Sequence, residues 1–306
     1  MSLIVTGSIG IDTIETPTGK APEVLGGSVV YFAAAASFFT PVRLVGAAGE
    51  DFPPAFLETL KHLPGHGVDL AGLELRKGSK TFRWTGLYHA NMNVRDTVEV
   101  QLNVLAEKLP KVPPAYQDSR QVFLANTHPA GQIELLQQFP KAELVVADTM
   151  DLWINNEKPA LLALLQKVHG LVLNDSEAAL LTSETNLVKA AQAVLKLGPR
   201  FTVIKKGEHG SMLVHGDGIV ALPAWPAEAV VDPTGAGDSF AGGMMGYLAA
   251  GDTRKPPTLA ALRKAMAYGT VVASFNIEAF SLERLLQLSR ADLDDRLAAY
   301  TRMLAV

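Results

Sequence analysis

The chain has 306 residues, of which 48% are hydrophobic and 19% charged, with a formal net charge of −4 and no cysteine. Such a chain is long enough for one large globular domain or two. The mild negative charge disfavours nucleic acid or an anionic membrane as partner, and the lack of cysteine excludes disulfides and thiolate metal sites.

The opening, Met1 to Gly7, has no basic stretch and no long apolar core, so it does not read as a signal peptide, and a cytoplasmic protein is expected. Leu3–Thr6 is the first of six short apolar runs that predict buried strands. The others are Val42–Val45, Gln121–Leu124, Leu144–Ala147, Gly170–Leu173 and Thr202–Ile204. Helical patterns lie between them: Ser28–Phe39, Ala55–Lys61, Gln132–Gln138, Lys158–Val168, Glu177–Leu181 and Asn186–Leu197. Ser28–Phe39 is apolar but too short to span a bilayer. The alternation predicts an α/β fold, a mostly parallel sheet covered by helices on both faces.

Leu73 to Leu105 breaks this rhythm. Thr81–Tyr88 and Thr97–Leu102 alternate polar with apolar residues and predict a small antiparallel sheet, to which Asp12–Val24 adds a strand. Phe82, Trp84 and Tyr88 fall on one face and Arg83 on the other. The aromatics either stack on a base or sugar or form the core of the small sheet. No Pro/Gly/Ser linker interrupts the chain. A single domain over 1–306 is expected, with a lid inserted from about 12–24 and 73–105 that excludes water from a substrate. The tail is helical over Ser239–Ala250, Leu259–Phe275, Leu282–Gln287 and Ala291–Leu304, and Ser289 with Asp292 predicts a capping box.

The densest chemistry lies in Asp232-Pro-Thr-Gly-Ala-Gly-Asp-Ser-Phe-Ala-Gly-Gly243. An apolar run, Ala229–Val231, leads into three small residues and then a helical pattern. A helix N-terminus offers unpaired N–H groups and partial positive charge to an anion. Asp238 stands at the tip of that loop, either as a base or as a plain helix cap. Gly78 to Thr81 lacks Walker A spacing, and Phe240 breaks a Gly-x-Gly-x-x-Gly pattern begun at Gly235 and Gly237. A phosphate cradle therefore falls to Gly235, Ala236 and Gly237. The seven histidines show no ligand spacing, and Pro64 and Gly65 separate His62 from His66.

This stretch resembles, position for position, the C-terminal signature of the ribokinase-like (PfkB) carbohydrate kinase family. Gly7-Ser8-Ile9-Gly10-Ile11-Asp12 is similar to the family's opening, and Gly26-Gly27 to its substrate-site glycine pair. Asn174-Asp175-Ser176-Glu177 resembles its Asn-x-x-Glu motif, and Lys206-Gly207-Glu208-His209-Gly210 its nucleotide-site turn. The resemblance covers essentially the whole chain. It implies a ribokinase-like three-layer sandwich with a small β-sheet lid. It also implies transfer of the ATP γ-phosphate to a hydroxymethyl group of a sugar. Asp238 would then be the general base, with Gly235, Ala236 and Gly237 receiving the phosphoryl group. Asp12, Gly26, Gly27, Tyr31 and Asn126 would meet the substrate; Asn126 to Pro129 reads equally as a plain turn. Asn174, Glu177, Lys206, Gly207, Gly210, Thr234 and Asn276 would serve the nucleotide, with Glu177 holding Mg2+ through water. Asn174 and Glu177 alone read as an ordinary cap interaction.

One departure bears on the substrate. After the glycine pair the family usually has a small residue and then Asn, whereas this chain runs Ser28-Val29-Val30-Tyr31. A nucleoside kinase of the adenosine type is thus the alternative, and a non-catalytic sugar- or nucleotide-binding descendant a third reading. The turn Ser274–Ala279 offers carbonyls to potassium as a candidate activator. Exposed lid edges allow a homodimer.

Overall fold

The computed structural model describes residues 3–251 and 256–305. The N-terminal third holds β1 (Leu3–Thr6), β2 (Gly10–Thr16), β3 (Gly19–Gly26), α1 (Ser28–Ser37), β4 (Val42–Gly49), α2 (Pro54–Lys61), β5 (Val68–Arg76), β6 (Phe82–Tyr88) and β7 (Arg95–Gln101). Then come β8 (Gln121–Leu124), α3 (Pro129–Leu136), β9 (Leu144–Asp148), α4 (Asp151–Asn156), α5 (Lys158–Leu165), β10 (Gly170–Asn174), α6 (Asp175–Thr182) and α7 (Leu187–Lys196). The chain finishes with β11 (Phe201–Lys205), β12 (Ser211–His215), β13 (Gly218–Leu222), α8 (Ala236–Ala250), α9 (Leu259–Asn276) and α10 (Arg290–Leu304).

Nine strands form the main sheet in the order β13-β12-β11-β10-β9-β8-β1-β4-β5. Pairings from β5 to β11 are parallel, and β12 and β13 add an antiparallel edge. β1 and β8 are wholly buried, as strands covered on both faces must be. One core contains residues of α1, α8, α9 and α10, with Phe32 of α1 stacked on Phe123 of β8 at 4.3 Å between ring centroids. The other core contains residues of α3, α5, α6 and α7. The result is the three-layer α/β sandwich that the strand–helix alternation predicts.

The second sheet has four strands, β3-β2-β6-β7. The 12–24 region supplies two of these strands, a hairpin, where one is expected. Leu73–Arg76 belongs instead to β5, the edge of the main sheet. An edge strand exposed on one side alternates polar and apolar residues, which is why it reads like its neighbour. Val98 and Val100 lie exposed on β7, the edge of the small sheet. Among the described residues no helix is long and apolar enough to cross a membrane.

α8 packs closely on α1 because it carries glycine on that face. A Cβ on Gly242 would come within 2.4 Å of the Phe32 carbonyl oxygen, and one on Gly246 within 2.9 Å of Ala36. The two helices therefore bring their N-termini to the same place.

Candidate active site

Three neighbouring strands end on polar residues at one edge of the sheet: β9 on Asp148, β10 on Asn174 and β11 on Lys205. Asn174 and Lys205 pair in register. The chain runs outward in opposite directions from β1, through β4 on one side and β8 on the other. Ligands bind at the carboxyl ends of strands beside such a reversal.

The α8 N-terminus points to this edge. Gly235 is its N-cap, in the left-handed region at φ 73°, and no side chain caps it. By contrast, side chains close the starts of α6, α7, α9 and α10: Asn174, Asn186, Thr258 and Ser289. At α8 the Ala236 N–H bonds the Pro233 carbonyl at 3.2 Å, and the first intrahelical bond is Ser239 N–H to Gly235 O at 2.8 Å. The Gly237 and Asp238 N–H groups thus belong to the unpaired first turn. The loop leading in is held from several sides. Asp232 accepts from the N–H of Thr234 at 2.8 Å and of Ser281 at 3.3 Å. Asn276 donates to the Thr234 carbonyl at 2.8 Å and accepts from Ser239 Oγ at 3.1 Å. Thr16 and Thr18, in the β2–β3 hairpin, each donate to the Val231 carbonyl at 3.0 Å. Ala229–Val231 is loop rather than strand, its Val231 N–H taken by Ile277 O.

The α1 N-terminus faces the same cleft. Its N-cap, Gly27, has φ 100°. Its N–H donates to Asp12, whose Oδ1 is buried without a partner. A Cβ on Gly26 would fall 1.9 Å from Asp12 Oδ2, so the glycine pair makes room for this carboxylate. Tyr31 lies directly under the loop: a Cβ on Gly235 would meet its ring at 2.3 Å. The Tyr31 hydroxyl is buried and unpartnered, and burial together with Asp12, Asp232, Tyr88 and Asp238 holds its pKa well above 10. Tyr88 reaches down from β6 and accepts from Thr234 Oγ1 at 3.1 Å.

The charges are crowded. Burial, then the Asp148 charge, raises Asp238 to about 7, against the pull of Lys205. Arg95, on β7 over the Trp84 ring, also favours ionised Asp238. Asp12 is raised to about 7 by burial and Asp232. Glu177 is raised to about 7, mainly by burial, while Lys205 opposes the shift. Clustered carboxyl groups displaced towards neutrality in one cleft are characteristic of a catalytic centre.

Glu177 Oε2 accepts the Asn174 N–H at 2.7 Å, and Asn174 Oδ1 accepts the Glu177 N–H at 2.7 Å. The cap interaction is therefore real, and it leaves one Glu177 oxygen over. Lys206, Gly207 and Gly210 form the turn after β11, against which the tip of the small sheet rests: Asn93 Nδ2 donates to Glu208 Oε1 at 3.3 Å. The Asn126 amide accepts from Trp153 Nε1 at 2.9 Å and donates to Met150 Sδ at 3.0 Å. In the turn Ser274–Ala279, the Ile277 carbonyl takes the Val231 and Asp232 N–H groups, and Arg296 bonds Ser274 Oγ at 3.0 Å. Phe82, Trp84 and Tyr88 share one face of β6, while Arg83 turns to Glu23 and Asp51. Sequence reasoning missed Asp148 and Lys205, 57 residues apart in the chain. The signal was a single charge closing each apolar run.

An uncapped glycine-rich helix start, a half-buried carboxylate in its first turn and a covering sheet define a small-molecule phosphotransferase site. Residues 26–286 match the pfkB family carbohydrate kinase profile. A cytidine kinase of Thermococcus kodakarensis is 30% identical over 254 residues, 81% of this chain and 88% of that protein. A nucleoside kinase of Burkholderia thailandensis, in complex with inosine, superposes with a TM-score of 0.74 at 19% identity, over 97% of this chain and 98% of that one. A ribokinase of Arabidopsis thaliana, complexed with ribose and ATP, gives 0.75 at 20% identity over 96% and 98%. The chain belongs to the pfkB family of carbohydrate kinases.

Proposed function

We propose that the protein transfers the γ-phosphoryl group of ATP to the hydroxymethyl group of a nucleoside. The observation that carries the transfer is the open α8 N-terminus with Asp238, half-buried, in its first turn. The similarity to a cytidine kinase supports the nucleoside over a free sugar. In this reading Asp12 accepts hydrogen bonds from ribose hydroxyls, a use its unpartnered Oδ1 supports. Asp238 accepts the proton of the attacking hydroxyl, which becomes nucleophilic as that proton leaves. The Gly237 and Asp238 N–H groups, and the loop around them, receive the phosphoryl oxygens.

Magnesium fits the donors present. The Glu177 oxygen left over by the cap offers a hard carboxylate ligand, directly or through water. When bound, the ion would neutralise phosphate charge. The turn Lys206–Gly210 would carry the nucleotide side.

The test is ADP release over a panel of nucleosides and free sugars. Turnover confined to nucleosides is expected; turnover on free sugars alone would overturn the substrate, and none on either would overturn the kinase. The same assay gives a pH profile. Asp238 works as the anion, and its pKa lies at about 7 rather than 3.8. kcat/KM is therefore expected to fall about tenfold per pH unit below neutrality. A profile flat down to about pH 5 would show that the base titrates at the ordinary carboxylate value, not near neutrality.

A further inference from the structure

Lys205 closes β11, and its stem runs against the first turn of α8. A Cβ on Gly237 would sit 2.9 Å from its Nζ, 3.6 Å from Cε and 3.7 Å from Cδ. Gly237 is thus small partly to admit this lysine. The ammonium group is faced from three elements: by Asp148 of β9, Glu177 of α6 and Asp238 of α8. Its one hydrogen bond among the described residues is a long one, 3.4 Å to Asp148 Oδ2. A lysine placed only to pair with Asp148 would sit closer, at about 2.7–2.9 Å. An ammonium group has three protons to donate, so two remain unused. The side chain is 18% exposed, enough to reach a ligand from its buried position.

We propose that Lys205 is a catalytic residue, donating hydrogen bonds to the transferring phosphoryl group beside the α8 N-terminus. The inference rests on the kinase reading above. In the step, the substrate oxygen forms a bond to the γ-phosphorus and its proton passes to Asp238. The bond from that phosphorus to the bridging oxygen breaks, and its electron pair leaves with ADP. Lys205 transfers no proton; its fixed charge balances the negative charge on the oxygens around the phosphorus. As nucleotide enters, the ammonium exchanges a weak contact with Asp148 for contacts to phosphate.

Lys205→Met keeps the stem against Gly237 and removes the charge. It is expected to lower kcat about a hundredfold or more, with KM for the nucleoside changed by less than about threefold. Lys205→Arg is expected to regain about tenfold or more of that loss, since it restores the charge and donors. A binding readout separates the role from a brace between strand ends. Calorimetry with ADP alone, then ADP with aluminium fluoride and nucleoside, compares a ground state with a transition-state mimic. Wild type should gain affinity in the mimic; Lys205→Met should bind ADP as wild type does and lose that gain. A kcat within about threefold of wild type in Lys205→Met would overturn the proposal. So would an equal loss of ADP and of the mimic. If Lys205→Met does not fold, Lys205→Gln replaces it with the same expectations. Wild-type protein inactive on the whole panel would overturn the kinase reading; active wild type with unimpaired Lys205 variants would overturn this inference alone.

Discussion

Asp238→Asn is expected to lower kcat by about a hundredfold or more while leaving ATP affinity nearly intact, because only the transition state needs the proton removed. Measured kcat near the wild-type value would sink the assignment. The same variant carries a second, opposite signature. In the fold this carboxyl holds its proton up to about 7, whereas its ordinary value is 3.8. Between those values the folded protein binds the extra proton, so stability from this group declines as pH rises, then levels off above about 7. An amide does not titrate. Asp238→Asn should therefore raise the melting temperature, and more at about pH 8 than at about pH 5. A variant less active and more stable, with the gain growing in alkali, would mark a residue kept for chemistry rather than folding.

Gly235→Ala is expected to damage both stability and turnover. The position has φ 73° and lies over the Tyr31 ring, where a Cβ would approach three ring atoms within 2.5 Å. Tyr31 is 1% exposed and has nowhere to retreat. Strain and overpacking together should remove about 1–3 kcal/mol, read as a lowered denaturation midpoint. Displacing the loop by about 1 Å should reduce kcat by about a hundredfold. Gly237→Ala makes the natural comparison, since its φ is not positive and its neighbour is the movable end of Lys205. If the two variants lose stability alike, Tyr31 is not the rigid floor of the loop.

Much of this was legible in the chain. The six apolar runs correspond to β1, β4 and β8 to β11, because a strand buried on both faces leaves no polar alternation to misread. The β12–β13 hairpin was not read; β13 is an edge strand that alternates more buried with exposed residues, Ile219 among the exposed. The helix expected over Leu282–Gln287 contracts to a short 3-10 turn at Leu285–Gln287, too brief for a periodic pattern. Asp232 to Asp238 stood out because backbone contact demands small residues, and small residues in sequence are visible. Asp148 and Lys205 did not, since their meeting depends on strand order, which places β9 and β11 either side of β10. Asp232 holds the loop through two backbone N–H groups, a partnership that a lone carboxylate in the sequence does not reveal.

The four-stranded sheet touches both shores of the cleft at once. Tyr88 bonds Thr234 in the loop before α8, and Asn93 bonds Glu208 in the turn after β11. In the kinase reading proposed above the sheet is a lid with two fastenings, so a rigid opening for one reactant would also part the bond on the other side.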